Sequence, residues 1–237
     1  MSLDAIDAVD WSAIPNPTGH EWDDPEYVAH ALRLLTISTT AHQTGDATAH
    51  LAGRGFINGH AGTLFPAAYA ATPILLELVE HGQRPRIKDA ALGLLFDALN
   101  FDPFAGHDRV NTPYDTDVPL CCAIARQIRS RQRALLAYGN EGKWLLADAG
   151  LHWRLTIEET EPQSDGILSA LAVLEGAPFH TPTEAELHTP LFPQPASTVR
   201  IDTLTADASG AAFIQLSQTP SVTMSTGSAL YPAECGF

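Results

Sequence analysis

Positive charge is what this sequence has least of: thirteen Lys and Arg residues stand against twenty-eight Asp and Glu, a formal charge of −15 at neutral pH. A field of that sign repels nucleic acid and anionic membrane surfaces and favours cationic partners. Cysteine is scarce too. Cys121 and its neighbour Cys122, with Cys235, are too few for a disulfide framework. The absence of a CxxC spacing removes the usual zinc and thioredoxin-like readings, so buried reduced thiols are expected. No apolar run reaches membrane-spanning length, because prolines and charges interrupt each one. The N-terminal MSLDAIDAVDW is acidic and lacks the basic start of a signal peptide, which predicts a cytoplasmic protein. Catalytic signatures are missing as well: there is no HExxH, GxSxG or SxxK. GRGFINGHAG (53–62) has no P-loop lysine and follows no predicted strand, so packing glycines and a helix-entry turn explain it better than a phosphate cradle.

What is present is organised around residues 62–99. Leu64, Ala68, Ala71, Leu75, Leu78 and Val79 recur at spacings of three and four, and Ile87, Ala91, Leu94, Leu95 and Leu99 do the same. His81-Gly82 stops the first helix and Arg84-Pro85 starts the second. Such a pair needs neighbouring helices to cover it. Asp24-Pro25 opens an earlier helix carrying Val28, Leu32 and Leu35 to about His42. Residues 43–61 read as a loop tucked against its own domain through Leu51, Phe56 and Ile57. After a long loop over 100–115, a helix begins at Asp117 and runs through Leu120, Ile124, Ile128 and Leu135 to Tyr138-Gly139. Arg126, Arg129, Arg131 and Arg133 on its outer face are expected to meet carboxylates of the same chain. A short helix over 141–149 follows.

Near Gly150 the period changes. Leu151, Trp153, Leu155 and Ile157 alternate with polar residues and predict a strand. Residues 167–174 read as a short helix ending at Gly176. Prolines at 178, 182, 190, 193 and 195 then interrupt regular structure, and 199–204, 211–216 and 221–226 read as short strands. The chain thus divides into an acidic lead-in (1–24), a helical body (25–176) and a proline-rich, β-leaning or irregular appendage (177–237).

The runs VAHALRLLTISTTAHQ and AATPILLELVEHGQRPRIKDAALGLLFDAL, followed by the arginine-rich helix, resemble bacterial HEAT/armadillo-like α-helical repeat proteins over about residues 25–150. The resemblance implies a mainly α fold of antiparallel helix pairs stacked as a short solenoid. It also implies a binding or scaffold role, and small acidic members are similar to immunity proteins that neutralise a bacterial toxin. It brings no catalytic residues.

Among ten histidines, His42, His50 and His60 are spaced by eight and ten residues around a loop, a weak pattern for a metal site. His152, Glu158, Glu159, Glu161 and Asp165 read as a solvated acidic edge. The expectation is therefore a non-enzymatic, acidic protein-binding module without cofactor or metal. Its best-supported partner is a basic protein such as a toxin domain, with a general helical scaffold or a His/carboxylate metal enzyme as the alternatives. The residues expected at the interface are Glu21, Trp22, Asp23, Asp24 and Glu26, then Phe101, Asp102, Phe104 and Tyr114, and finally Glu158 and Glu159: carboxylates for steering and aromatics for anchoring.

Overall fold

The segment Ala67–His81 (α4) buries Ala67, Ala68, Ala71, Thr72, Ile74, Leu75, Leu76, Leu78 and Val79, more than one stripe of its circumference. A helix apolar on most sides has to be surrounded, and this one is. In the computed structural model, which describes residues 2–162, 167–189, 197–217 and 224–234, two compact units are found. One comprises residues 1–112 and 117–149, and the other residues 113–116 and 150–235.

In the helical unit, α4 packs against α1 (Ser2–Asp7), α2 (Pro25–Ile37), α5 (Pro85–Asn100), α6 (Leu120–Ser130) and α7 (Gln132–Tyr138), while α3 (Ala41–Gly53) lies on α2 and α5. The unit ends in α8, Asn140–Leu151, whose last two residues belong to the second unit. Short strand pairs sit between the helices: β1 (Ile57–Asn58), β2 (Thr63–Leu64) and β3 (Asp102–Pro103) form one small sheet, and β4 (Arg109–Val110) pairs with β5 (Val118–Pro119). In a solenoid each helix pair touches only its neighbours along the chain. Here one helix contacts both the first and the seventh, so the expected HEAT-like solenoid is replaced by helices gathered around α4.

Local chemistry sets the helix ends. Asp24 caps α2, its carboxylate accepting from the Glu26 amide at 2.9 Å, with Pro25 in the first turn. The chain turns again at Ser38, whose carbonyl accepts from the Arg84 guanidinium at 2.7 Å. The helix expected to reach about His42 ends at Ile37, and residues 43–53, expected as loop, belong to α3, which Thr40 and Gln43 open with a reciprocal capping box. The single helix expected across 117–139 breaks at Arg131 into α6 and α7. Arg131 pairs with Glu80 of α4 at 3.3 Å, and Arg129 donates to the Ala149 carbonyl. Cys121 is disulfide-bonded, not reduced as expected, and Cys122 is a buried free thiol. Among the described residues, no helix is long and apolar enough to cross a membrane.

The second unit is a closed barrel of six antiparallel strands: β6 (Arg154–Pro162), β7 (Ile167–Glu175), β8 (Thr183–His188), β9 (Ser197–Ala206), β10 (Ala211–Ser217) and β11 (Ala229–Pro232). Their order around the wall is β10-β7-β6-β11-β8-β9, closing through β9 and β10. Three consecutive strands, β8 to β10, lie side by side and β11 returns beside β8, a Greek key. The interior is filled by Leu155, Ile157, Leu174, Leu187, Ile201, Ile214 and Leu230, with Ala170, Ala172, Ala185 and Ala212 taking the tight places. This wall corrects two expectations at once: the residues expected as a β-leaning or irregular appendage supply four strands, β8 to β11, of a closed barrel, and residues 167–174, expected as a helix, form its strand β7. The fold is mixed α and β, not mainly α. Of the strand expected over 221–226, residues 221–223 lie outside the described residues.

The β9–β10 hairpin turns on Asp207, which accepts from the Ser209 hydroxyl, the Ser209 amide and the Ala211 amide. Gly210 follows with φ +88°, and a Cβ there would meet the Leu174 carbonyl at 2.7 Å. The donors from Ser209 and the Ala211 amide hold the Asp207 carboxyl below its ordinary 3.8. A depressed carboxyl contributes stability above its unfolded value and loses it as pH falls through the folded one. Acid unfolding of Asp207→Ala should therefore lack a component present in the parent chain. Thr40→Ala should lower the stability of the helical unit by about 1 kcal/mol in denaturant titration.

Candidate functional site

The outer wall of a barrel normally alternates with its apolar interior as polar residues, and β7 breaks that rule. Leu171, Val173 and, on β10, Phe213 point outward and remain 49%, 36% and 41% exposed. Cross-strand register places Leu171 directly opposite Phe213, with Val173 opposite Ala211. On the other side Leu171 faces Glu159 of β6, and Phe213 faces Thr205 of β9. One row therefore runs Glu159, Leu171, Phe213, Thr205 across four strands. Glu158 occupies the irregularity between Ile157 and Glu159, and Glu161 stands opposite Ser169 in the next row. Both expected carboxylates, Glu158 and Glu159, are thus exposed at the border of an apolar row.

On a different part of the wall, β6, β11 and β8 carry a buried polar cluster covered by the segment 113–116. Arg154 Nε donates to the Tyr231 hydroxyl at 3.0 Å, which donates to Asp115 at the same distance. Arg154 Nη1 donates to Glu175 at 3.2 Å and to Thr156, and Nη2 lies 3.5 Å from Asp115. The guanidinium sits 5.6 Å from the Tyr114 ring centre and 5.8 Å from that of Tyr231. Burial alone would drive the Arg154 guanidinium down, but Tyr231, Glu175 and Asp115 outweigh it and hold the group charged. Burial pushes the Tyr231 phenol up, so it stays protonated and donates. His188 closes the cluster, edge-on to Tyr231 at 4.9 Å and 3.3 Å from Glu186. Each nitrogen of the Arg154 guanidinium is engaged within the unit, so this cluster clamps strands together and the segment 113–116 onto them.

The other expected site residues lie in the helical unit, apart from Tyr114. Glu21, Trp22 and Asp23 form a single 3-10 turn before α2. Trp22 is 53% exposed and stacks on His20 at 5.3 Å, while Glu26 points to solvent. Glu21 accepts from Tyr27 at 3.3 Å, Asp23 accepts from Thr18 at 2.8 Å, and Asp24 is the helix cap already described. Phe101 packs against the helical core, and Phe104 stacks on Phe65 at 5.7 Å, leaving Asp102 as the exposed residue of that trio. Tyr114 shields Arg154. His42, His50 and His60 are exposed and do not converge; His42 instead contacts Asp46 at 2.7 Å.

Sequence reasoning missed Leu171, Val173 and Phe213, although one signal was available. Ile167, Leu168, Ala170, Leu171, Ala172, Val173 and Leu174 are apolar on both faces, and a strand of that composition either is buried on both or presents one face to a partner.

No family model matches the sequence, and no curated protein does. Among solved structures, the chain is similar to a flavohemoglobin from Malassezia yamatoensis, determined with bound FAD and heme. The identity is 13%, over 98% of this chain and 63% of that one, with a TM-score of 0.22. The chain thus spans less than two thirds of that protein, and a likeness at this level carries over neither fold nor activity.

Arg154→Met should destabilise the barrel by about 3 kcal/mol, because Asp115 and Glu175 lose the cation between them. Unfolding followed by the near-ultraviolet signal of the barrel's tryptophan and tyrosines measures it.

Proposed function

We propose that this chain is a binding protein for a basic protein partner, and that the outer face of β7 and β10 is the surface it uses. The observation that carries this is the exposed apolar patch of Leu171, Phe213 and Val173 bordered by Glu158, Glu159 and Glu161 on a chain of net charge −15. Full burial of a large apolar side chain contributes about 1.5–3 kcal/mol, and these three are already partly covered, so the row supplies only a few kcal/mol. Association costs about 4–15 kcal/mol in lost freedom, which the row alone does not offset. The acidic border has to add steering and register, and a cationic partner is the kind it selects. A toxin domain that binds nucleic acid fits that chemistry, and neutralisation of such a toxin is the specific form of the proposal. A cytoplasmic location belongs to the same reading. The Cys121 disulfide weighs against it, since disulfides persist mainly in oxidising compartments.

The test is co-expression with the product of the neighbouring gene, with growth rescue and affinity as readouts. Affinity should fall as salt rises. Glu158→Gln with Glu159→Gln should slow association, and Leu171→Ser with Phe213→Ser should speed dissociation, each by about tenfold. Binding that ignores salt and survives the apolar double variant would overturn the assignment of this face.

A further inference from the structure

Helix α8 carries an exposed apolar face of its own. Trp144, Ala147 and Leu151 stand three and four residues apart, so they share one side of the helix, and Trp144 and Leu151 are 62% and 68% exposed. The other side is seated by Gly142 and Leu145, both buried; a Cβ at Gly142 would run into the Leu135 carbonyl of α7. Folding of the helix therefore gives no reason for its outward stripe to be apolar.

The two flanks of that stripe differ in charge. Lys143 borders one side, while Glu141 and Asp148 border the other. Residues 126–143 hold five of the thirteen Lys and Arg and one carboxylate, Glu141, so this is the electropositive stretch of an acidic chain. Lys143 is exposed and makes no hydrogen bond or ion pair among the described residues.

The outer face of β7 and β10 has the complementary layout. Its apolar centre of Leu171, Val173 and Phe213 has Glu158, Glu159 and Glu161 on the β6 side and Thr205 on the β9 side. Thr203 donates to the Gln215 carbonyl oxygen at 3.2 Å, which leaves the Gln215 amide nitrogen as a further donor toward β9. A helix laid on this centre with Lys143 over the β6 carboxylates brings Glu141 and Asp148 over the donors of Thr205 and Gln215. Two barrel faces set against each other would instead oppose their glutamates.

We infer that, in the absence of its partner, this barrel face takes the α8 stripe of a second copy of the chain. The inference rests on the face assigned above to the partner and adds its regulation: a cationic partner has to displace the second copy. The contact joins two different surfaces, so each pair leaves one α8 stripe and one barrel face open. Two chains of net charge −15 repel each other, which keeps the association weak and displaceable.

Sedimentation velocity of the full chain over about a hundredfold range of concentration tests this, and the sedimentation coefficient should rise with concentration. Trp144→Ser and Phe213→Ser, both at exposed positions, should each sediment as a monomer. Their equal mixture should form a dimer that grows no further, because one variant supplies the barrel face and the other the α8 stripe. Adding Lys143→Glu to the Phe213→Ser chain should weaken this dimer by about tenfold, and Glu159→Lys in the Trp144→Ser chain should restore it. A monomer at every concentration, a mixture that stays monomeric, or self-association of Trp144→Ser alone overturns the inference. The partner reading is judged separately, because Trp144→Ser keeps the whole barrel face and should bind a cationic partner at least as tightly as the parent chain.

Discussion

Closure of the six-stranded wall is the constraint on which the functional reading depends. Among the described residues each strand has a hydrogen-bonded neighbour on both sides, although β11 meets β6 only at Leu155 and Thr156. Its interior is occupied by its own side chains. Recognition at this unit is therefore left to side chains on the outside of the wall, where the identity of each residue matters more than the backbone. Against that background, three neighbouring apolar residues on an otherwise polar exterior carry information, because nothing in the mechanics of the barrel requires them to be apolar.

The helical unit solves a different problem. α4 is too apolar for a surface position, and the chain answers by wrapping helices from both ends of the unit around it. The pair formed by α4 and α5 was legible from spacing alone, including the stop at Gly82 and the restart at Pro85. The manner of covering it was not. Periodicity reports which residues of a helix are apolar, whereas solenoid and bundle differ in which helices meet, and that depends on contacts far apart in the chain. α3 is hard to read for a more local reason: its glycines and threonines weaken helix propensity, and the Thr40–Gln43 capping box compensates for them.

In the barrel, the same residues that disguised the fold form the proposed binding face. Strand β6 was recognisable because its polar and apolar positions alternate cleanly up to Ile157. Strand β7 was mistaken for a helix because Leu171 and Val173 fill what would otherwise be polar positions, and its alanines favour a helix locally. Departures from local consistency concentrate where a surface serves something beyond folding. Glu158 and Glu159 could be picked out as charges, yet their relation to Leu171 and Phe213 arises only from strand register. The Arg154 cluster was illegible for a plainer reason, since its tyrosine lies 77 residues away along the chain.

That cluster also bears on where the barrel begins. Four residues, 113–116, leave the helical stretch of sequence to lie against β6 and β11, and the carboxylate of Asp115 neutralises a guanidinium that is otherwise enclosed. The boundary a reader would draw at Gly150 is therefore a boundary in sequence alone. A fragment starting there would carry all six strands and still expose Arg154 without one of its two counter-charges, so the autonomous folding unit has to be thought of as discontinuous, with its keystone inherited from upstream.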